Sequence, residues 1–197
     1  VSKEFAPIAR SQGLFVIDNS SAWREDSDIP LIVPEVNLED YTLNRLIANP
    51  NCSTIQAVLP LKALQEAFGI QRVNYSTYQA VSGSGQKGIE DLHRTQNDEE
   101  PVLYPYNISQ TVIPEIDQPL ENGYTKEEQK MINETRKILH QPALPVSATC
   151  VRVPIENGHG VSVAVQLQKE FTTEEIRECL SQFPGIQLED DLAAHKY

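Results

Sequence analysis

The sequence predicts an α/β protein, and three observations carry the prediction. Gly13-Leu14-Phe15-Val16-Ile17-Asp18 is a short apolar run of the kind buried in a parallel sheet. Val73, Tyr75, Thr77 and Gln79 alternate with Asn74, Ser76 and Tyr78, which predicts a half-buried strand over 71–79. Thr125-Lys126-Glu127-Glu128 and Thr172-Thr173-Glu174-Glu175 each match a capping box, so a helix starts at each, the second braced by a Phe171/Ile176 staple. Composition agrees: of 197 residues 40% are hydrophobic and 22% charged, as expected for a chain with a real core.

The remaining elements follow in order. Asn19-Ser20-Ser21 opens a polar loop that carries Trp23 and Arg24. Ile29 to Val36 is apolar but broken by Pro30 and Pro34, which leaves an extended segment with at most one short strand. Leu38 to Ala48 reads as helical. Asn49-Pro50-Asn51 is a turn signal, Ser53 and Thr54 then offer N-cap oxygens, and Ile55 to Phe68 is a mostly apolar helical run that Pro60 should kink or break. Ser82-Gly83-Ser84-Gly85-Gln86-Lys87-Gly88 is a glycine-rich loop, with a helix from Ile89. The Asp-, Glu-, Asn- and Pro-rich stretch 96–122 holds eight apolar groups, among them Ile108, Ile113 and Ile116, too many for a solvated linker; it reads as an ordered excursion. Val151 to Val153 and Val161 to Leu167 read as strands joined through a turn at Glu156-Asn157-Gly158.

Net charge is -12, which argues against a nucleic-acid groove or an anionic membrane surface as partner, though not against a small anion held by local cations. Three cysteines without CxxC spacing argue against a disulfide framework or a zinc site and point to a reducing compartment. With no membrane-length apolar stretch and no signal-peptide pattern, the cytoplasm is the expected location, and no metal is expected.

Cys52 lies where an extended segment gives way to a helix. A thiol at a helix N-terminus meets the positive end of the dipole and free N–H groups, which lower its pKa and make a nucleophile. The alternative is a small buried residue near a helix start. Glu127 and Lys130 share a helix face three residues apart, as a functional pair or as a surface ion pair. Arg152 and His159 flank the predicted turn; an arginine fork suits a carboxylate and a histidine suits proton transfer, unless the histidine merely sits exposed at a hairpin mouth. His93, His140 and His195 read as surface residues. The glycine-rich loop fits neither the P-loop nor the G-x-G-x-x-G fingerprint.

Four segments together resemble the aspartate-β-semialdehyde dehydrogenase family: Val16-Ile17-Asp18-Asn19-Ser20-Ser21-Ala22-Trp23-Arg24, Asn49-Pro50-Asn51-Cys52-Ser53-Thr54, Thr77-Tyr78-Gln79-Ala80-Val81-Ser82-Gly83, and Arg152 to His159. Their order and spacing extend the resemblance over nearly the whole chain, and it favours the branch with the NCSTIQ form of the cysteine motif. The resemblance implies the end of a Rossmann-like nucleotide-binding domain over 1–49, then an α+β catalytic and dimerisation domain with a mixed sheet over 50–197. It implies Cys52 as nucleophile, His159 as acid/base and Gln79 as the residue that positions the acyl-enzyme. It further implies Arg152 on the substrate α-carboxylate, Glu127 on its amino group, Lys130 and Arg24 on phosphate, and Asn51 beside them. Ser82, Gly83, Ser84 and Gly85 would lie near the nicotinamide end of NADP.

The implied reaction is reductive dephosphorylation of L-4-aspartyl phosphate to the semialdehyde through a cysteine thioester, in lysine, threonine, methionine and isoleucine biosynthesis, by a homodimer or dimer of dimers. Family members begin with a glycine-rich NADP-binding segment and end beyond the position matching Tyr197. The expectation is therefore an excerpt of a longer enzyme that is inactive alone. Two alternatives stand beside it: a related reductase acting on N-acetylglutamyl phosphate, whose substrate has no free ammonium, and a catalytically silent dimerisation module.

Overall fold

A computed structural model describes residues 1–41 and 43–196; Thr42, inside the helix predicted over 38–48, and Tyr197 lie outside the described residues. The fold is mixed α/β, as the sequence predicts. The elements are α1 (Ser2–Ser11), β1 (Val16–Asp18), α2 (Pro34–Asn37), β2 (Leu46–Ala48), α3 (Cys52–Phe68), β3 (Ile70–Gln79), α4 (Gln86–Gln96), α5 (Lys126–Ile138), β4 (Val146–Arg152), β5 (Gly160–Leu167) and α6 (Thr173–Gln182). Short 3-10 turns occupy Leu38–Asp40, Val81–Ser84 and Leu192–Ala194.

β1 and β2 form a parallel pair with Val16 opposite Leu46 and Asp18 opposite Ala48. β3 is the centre of a second sheet, parallel to β4 on one side and antiparallel to β5 on the other. That order overturns the hairpin expected between 151 and 167, because β4 and β5 never pair and the chain crosses β3 between them. It also overturns the helix over 38–48. Ala48 N–H donates to the Pro30 carbonyl and its own carbonyl accepts from Ile32, so strand pairing claims the segment's backbone groups. Leu43, 93% exposed, has no apolar face to join.

α3 starts earlier than expected and runs through Pro60 without ending. A single proline removes one backbone donor, and the buried stripe Val58, Leu61 and Leu64 outweighs that loss by packing on the core. Both capping boxes form, with Thr125 and Thr172 as N-caps. α4 opens at Gln86, within the loop predicted to precede it.

α3 and α5 cover one face of the second sheet. Tyr75, Val73, Ala148 and Cys150 point into it against Met131, Ile138 and Leu61. The Tyr75 hydroxyl and Thr135 Oγ1, both buried, share a 2.9 Å hydrogen bond. The excursion over 96–122 is ordered as expected: Ile108 and Ile113 join Val81 and Leu92 in a second core, and Ile116 enters the main one, while Val102, Tyr106 and Val112 stay exposed. The buried Asp91 carboxylate ties it down, accepting from the N–H groups of Val102, Leu103 and Tyr104 at 2.6, 3.1 and 2.9 Å. Among the described residues no helix is long and apolar enough to cross a membrane.

Candidate active site

Parallel strands gather functional groups at their carboxyl ends, where helices begin. β2 ends at Ala48, and four residues later Cys52 opens α3. β3 and β4 end together on Gln79 and Arg152, which face each other in register. α5 runs beneath them with Glu127, Lys130 and Glu134 at i, i+3 and i+7 on one face. These elements enclose a cavity of about 770 Å³. Its lining holds ten of the twelve residues singled out in the sequence: Arg24, Asn51, Cys52, Gln79, Ser82, Gly83, Glu127, Lys130, Arg152 and His159. The other two stand outside. Ser84 Oγ accepts from the Tyr104 hydroxyl at 2.9 Å, and Gly85 caps α4 with φ 72°.

The N-cap of α3 is Asn51, not Ser53 or Thr54. Asn51 Oδ1 accepts from the N–H groups of Ser53 and Thr54, which makes Cys52 the first helical residue. Its Nδ2 donates to Glu127 at 2.9 Å and its backbone N–H donates to Glu134 at 2.6 Å, which leaves the second Nδ2 hydrogen for the cavity that Asn51 lines.

Of the three cysteines Cys52 is exposed, Cys179 intermediate and Cys150 buried. The expected fall in the Cys52 pKa does not occur. Although the residue surface opens to the cavity, the enclosing walls strip water from the sulfur, and burial pushes the thiol up. The Glu127 carboxylate adds to the rise, while hydrogen bonds from Ser53 pull it back. Cys150 is pushed up to about 12, chiefly by burial, and is inert.

Glu127 is buried, and its Oε1 also accepts from Gln79 Nε2 at 3.2 Å. Lys130 Nζ lies 3.3 Å from Glu127 Oε2 and 2.7 Å from Asp117 Oδ2. Burial opposes the ammonium, but Asp117 and Glu127 outweigh it and hold its pKa above the ordinary lysine value. Arg24 is buried: Nε donates to Asn49 O, Nη2 to Asn19 O, and Nη1 pairs with Glu134 at 3.2 Å. Three of its five N–H donors are committed, so the fork retains donors for an anion.

Arg152 Nη1 donates to the Ala80 carbonyl at 2.7 Å, which aims the guanidinium from the end of β4. His159 Nδ1 accepts from the Ala80 N–H at 3.0 Å, so the neutral ring carries its proton on Nε2. Burial and the Arg152 charge push the His159 pKa down against the pull of Glu127. Gly83 leaves room for both side chains, since a Cβ there would lie 2.6 Å from Arg152 Nη1 and 3.3 Å from His159 Cε1.

Sequence reasoning missed Asp117 and Glu134. Asp117 sits in an aperiodic stretch, at φ 67°, with no pattern to find it by. Glu134 was detectable as the third polar residue on the Glu127/Lys130 face. Among the described residues no group of His, Cys, Asp and Glu is arranged to hold a metal ion.

Comparison with known proteins places these features in context. Residues 61–196 match the family model "Semialdehyde dehydrogenase, dimerisation domain", and residues 1–43 match "Semialdehyde dehydrogenase, NAD binding domain". The chain is 49% identical to the aspartate-semialdehyde dehydrogenase of Aquifex aeolicus and 47% identical to that of Bacillus subtilis, in both cases over 100% of its own length and 61% of the relative's. It thus spans about three fifths of the curated relatives it matches. Among solved structures, aspartate semialdehyde dehydrogenase II of Vibrio cholerae in complex with ASA superposes with a TM-score of 0.88 at 44% identity, covering 93% of this chain and 57% of that one.

Proposed function

The chain belongs to the semialdehyde dehydrogenase family, and from that premise we propose that it carries the catalytic centre of an NADP-dependent aspartate-semialdehyde dehydrogenase. The reaction is reductive dephosphorylation of L-4-aspartyl phosphate, supplying the biosynthesis of lysine, threonine, methionine and isoleucine. One observation carries the reading: a single cavity brings a helix-start thiol and an imidazole together with separate groups for a carboxylate, an ammonium and a phosphoryl group.

The Arg152 fork takes the α-carboxylate, and Glu127, buried among neutral amide donors and Lys130, takes the ammonium. Lys130 and Arg24 take the phosphoryl group. Cys52 Sγ attacks the acyl carbon: a C–S bond forms, the bond to the phosphoryl oxygen breaks, and phosphate departs onto the two cations, taking up the proton that the thiol gives up. Gln79, held by Glu127, positions the acyl-enzyme. Ser82 and Gly83, the part of the loop that reaches the cavity wall, would hold the nicotinamide end of the cofactor, and Gly83 fits that place because no side chain projects from it. When bound, NADPH supplies hydride to the thioester carbon. His159 moves a proton at Nε2 as the resulting thiohemiacetal collapses, the C–S bond breaks and the semialdehyde leaves.

An N-acylated substrate has no ammonium for Glu127 to hold, so a contact from Glu127 to a substrate amine counts against that alternative. The likeness to the dimerisation domain supports a homodimer. The segment before Asn49 is read as the end of the nucleotide-binding domain, and the rest as the catalytic and dimerisation domain. The test is phosphate-dependent reduction of NADP⁺ by L-aspartate-β-semialdehyde in the full-length protein, with Cys52→Ala as control. Activity that needs both phosphate and Cys52 is expected. Equal rates with and without phosphate, or an active Cys52→Ala protein, would overturn the reading.

A further inference from the structure

Glu134 is a carboxylate, 2% exposed, on the third turn of α5, and the reaction as described gives it no task. Its two oxygens face two different parts of the site. Oε1 pairs with Arg24 Nη1 at 3.2 Å, and Oε2 accepts the backbone N–H of Asn51 at 2.6 Å. Burial pushes its pKa up against the pull of Arg24 and the Asn51 N–H, so the ionised form depends on both partners. A buried ion pair of this kind is weak evidence for stability, since apolar residues fill such space as well. It does fix geometry.

Asn51 is the link to the nucleophile. It caps α3 one residue before Cys52, and its Nδ2 reaches Glu127, whose other contacts are Gln79 and Lys130. A shift of the Asn51 backbone would therefore move the cap, the start of α3 and the Glu127 contact together. Arg24 is held through the same carboxylate.

We infer that Glu134 is a positioning residue that sets the register between the phosphate-binding arginine and the helix start bearing Cys52. For Arg24 the inference rests on the functional reading above; for Cys52 it does not. Gln cannot replace Glu here. A carboxamide has one acceptor oxygen, while Arg24 and Asn51 N–H are both donors, so one of them must lose its partner.

The test is the pH dependence of Cys52 alkylation by iodoacetamide in the full-length protein, comparing wild type with Glu134→Gln. Removing a buried negative charge without rearrangement would favour the thiolate and lower the midpoint. If Glu134 acts through Asn51, the cap slips, Cys52 loses the support of the helix terminus, and the midpoint rises by about half a pH unit or more. A rise supports the inference; an unchanged or lowered midpoint overturns it. If Glu134→Gln does not fold, Glu134→Asp is read instead: it keeps the charge but is one methylene too short to reach both partners, and the same rise is expected. Steady-state kinetics on the same proteins add a split that loss of fold alone would not give, with KM for phosphate rising while kcat falls. A wild-type protein without phosphate-dependent activity would sink the functional reading, and the alkylation midpoint would still decide the role of Glu134.

Discussion

Gly83 makes the sharpest test at the level of single residues. It needs no unusual backbone angle; what it supplies is the space a Cβ would take from Arg152 Nη1. Gly83→Ala should push the guanidinium off its Ala80 anchor and raise KM for the amino-acid substrate about tenfold, equivalent to about 1.4 kcal/mol, with little change in Tm. An unaltered KM would show that Arg152 does not hold the substrate. The titration of the site gives a second test. Glu127 raises the Cys52 pKa and favours the His159 imidazolium. Glu127→Gln should therefore lower the midpoint of Cys52 alkylation and move the acid limb of kcat/KM, where His159 charges, to still lower pH. In the wild type that limb should lie below the ordinary histidine value of about 6.5. An acid limb above that value would contradict the burial of the ring beside Arg152. The contrast with Glu134 is informative, because neutralising two carboxylates on one helix face is expected to move the same thiol in opposite directions.

Elements differ in how far they could be read, and the reasons are physical. The two capping boxes were legible because Thr and Glu at a three-residue spacing satisfy backbone donors that any helix start leaves open. β3 was legible because one of its faces is buried, so alternation survives in the sequence. β4 was seen only at its end, and its neighbour was misjudged, since nothing local records that both flanking strands pair with β3. β2 was taken for helix because its three residues gain their state from β1, thirty positions earlier. α1, with Pro7 inside it, left no helical signal that was read at all. The site itself was more legible than the fold around it, with ten of its twelve proposed residues on one cavity, because chemistry is written in residue types and spacing while strand order is not. The excursion over 96–122 yields a prediction of its own. Asp91 accepts three of its N–H groups, and hydrogen bonds to a charged group each contribute about 1.5–3 kcal/mol net. Asp91→Ala should release the stretch 102–104, seen as lost amide-exchange protection there, while α5 and β3 stay protected. Equal loss across all three would mean that the excursion is part of the main cooperative unit.

At the scale of the whole chain the question is whether its first 49 residues stand apart from the rest. The family likenesses fall on either side of residue 49, at 1–43 and 61–196. The packing does not divide there. Ala6, Leu31, Val33, Leu46 and Ala48 share one buried cluster with Ala57, Leu61, Val73 and Met131. Polar ties run the same way: Arg24 pairs with Glu134, and Lys137 Nζ donates to the carbonyls of Arg24, Asp26 and Ile29. Breaking one part would leave the buried Glu134 without its cation and strip apolar cover from α3, so the two parts should unfold together. The single tryptophan offers the probe. Trp23 packs against the shared cluster, its Nε1 donates to Ser2 Oγ at 2.9 Å and Lys3 Nζ lies 3.6 Å from its ring centre, so its emission reports the first part alone. Far-UV circular dichroism is dominated by α3 to α6, in the second part. In urea the two signals should trace one transition with a common midpoint. If tryptophan emission changes at clearly lower urea than ellipticity, the first 49 residues form a separate folding unit, and the Arg24–Glu134 pair joins two bodies and does not lie within one.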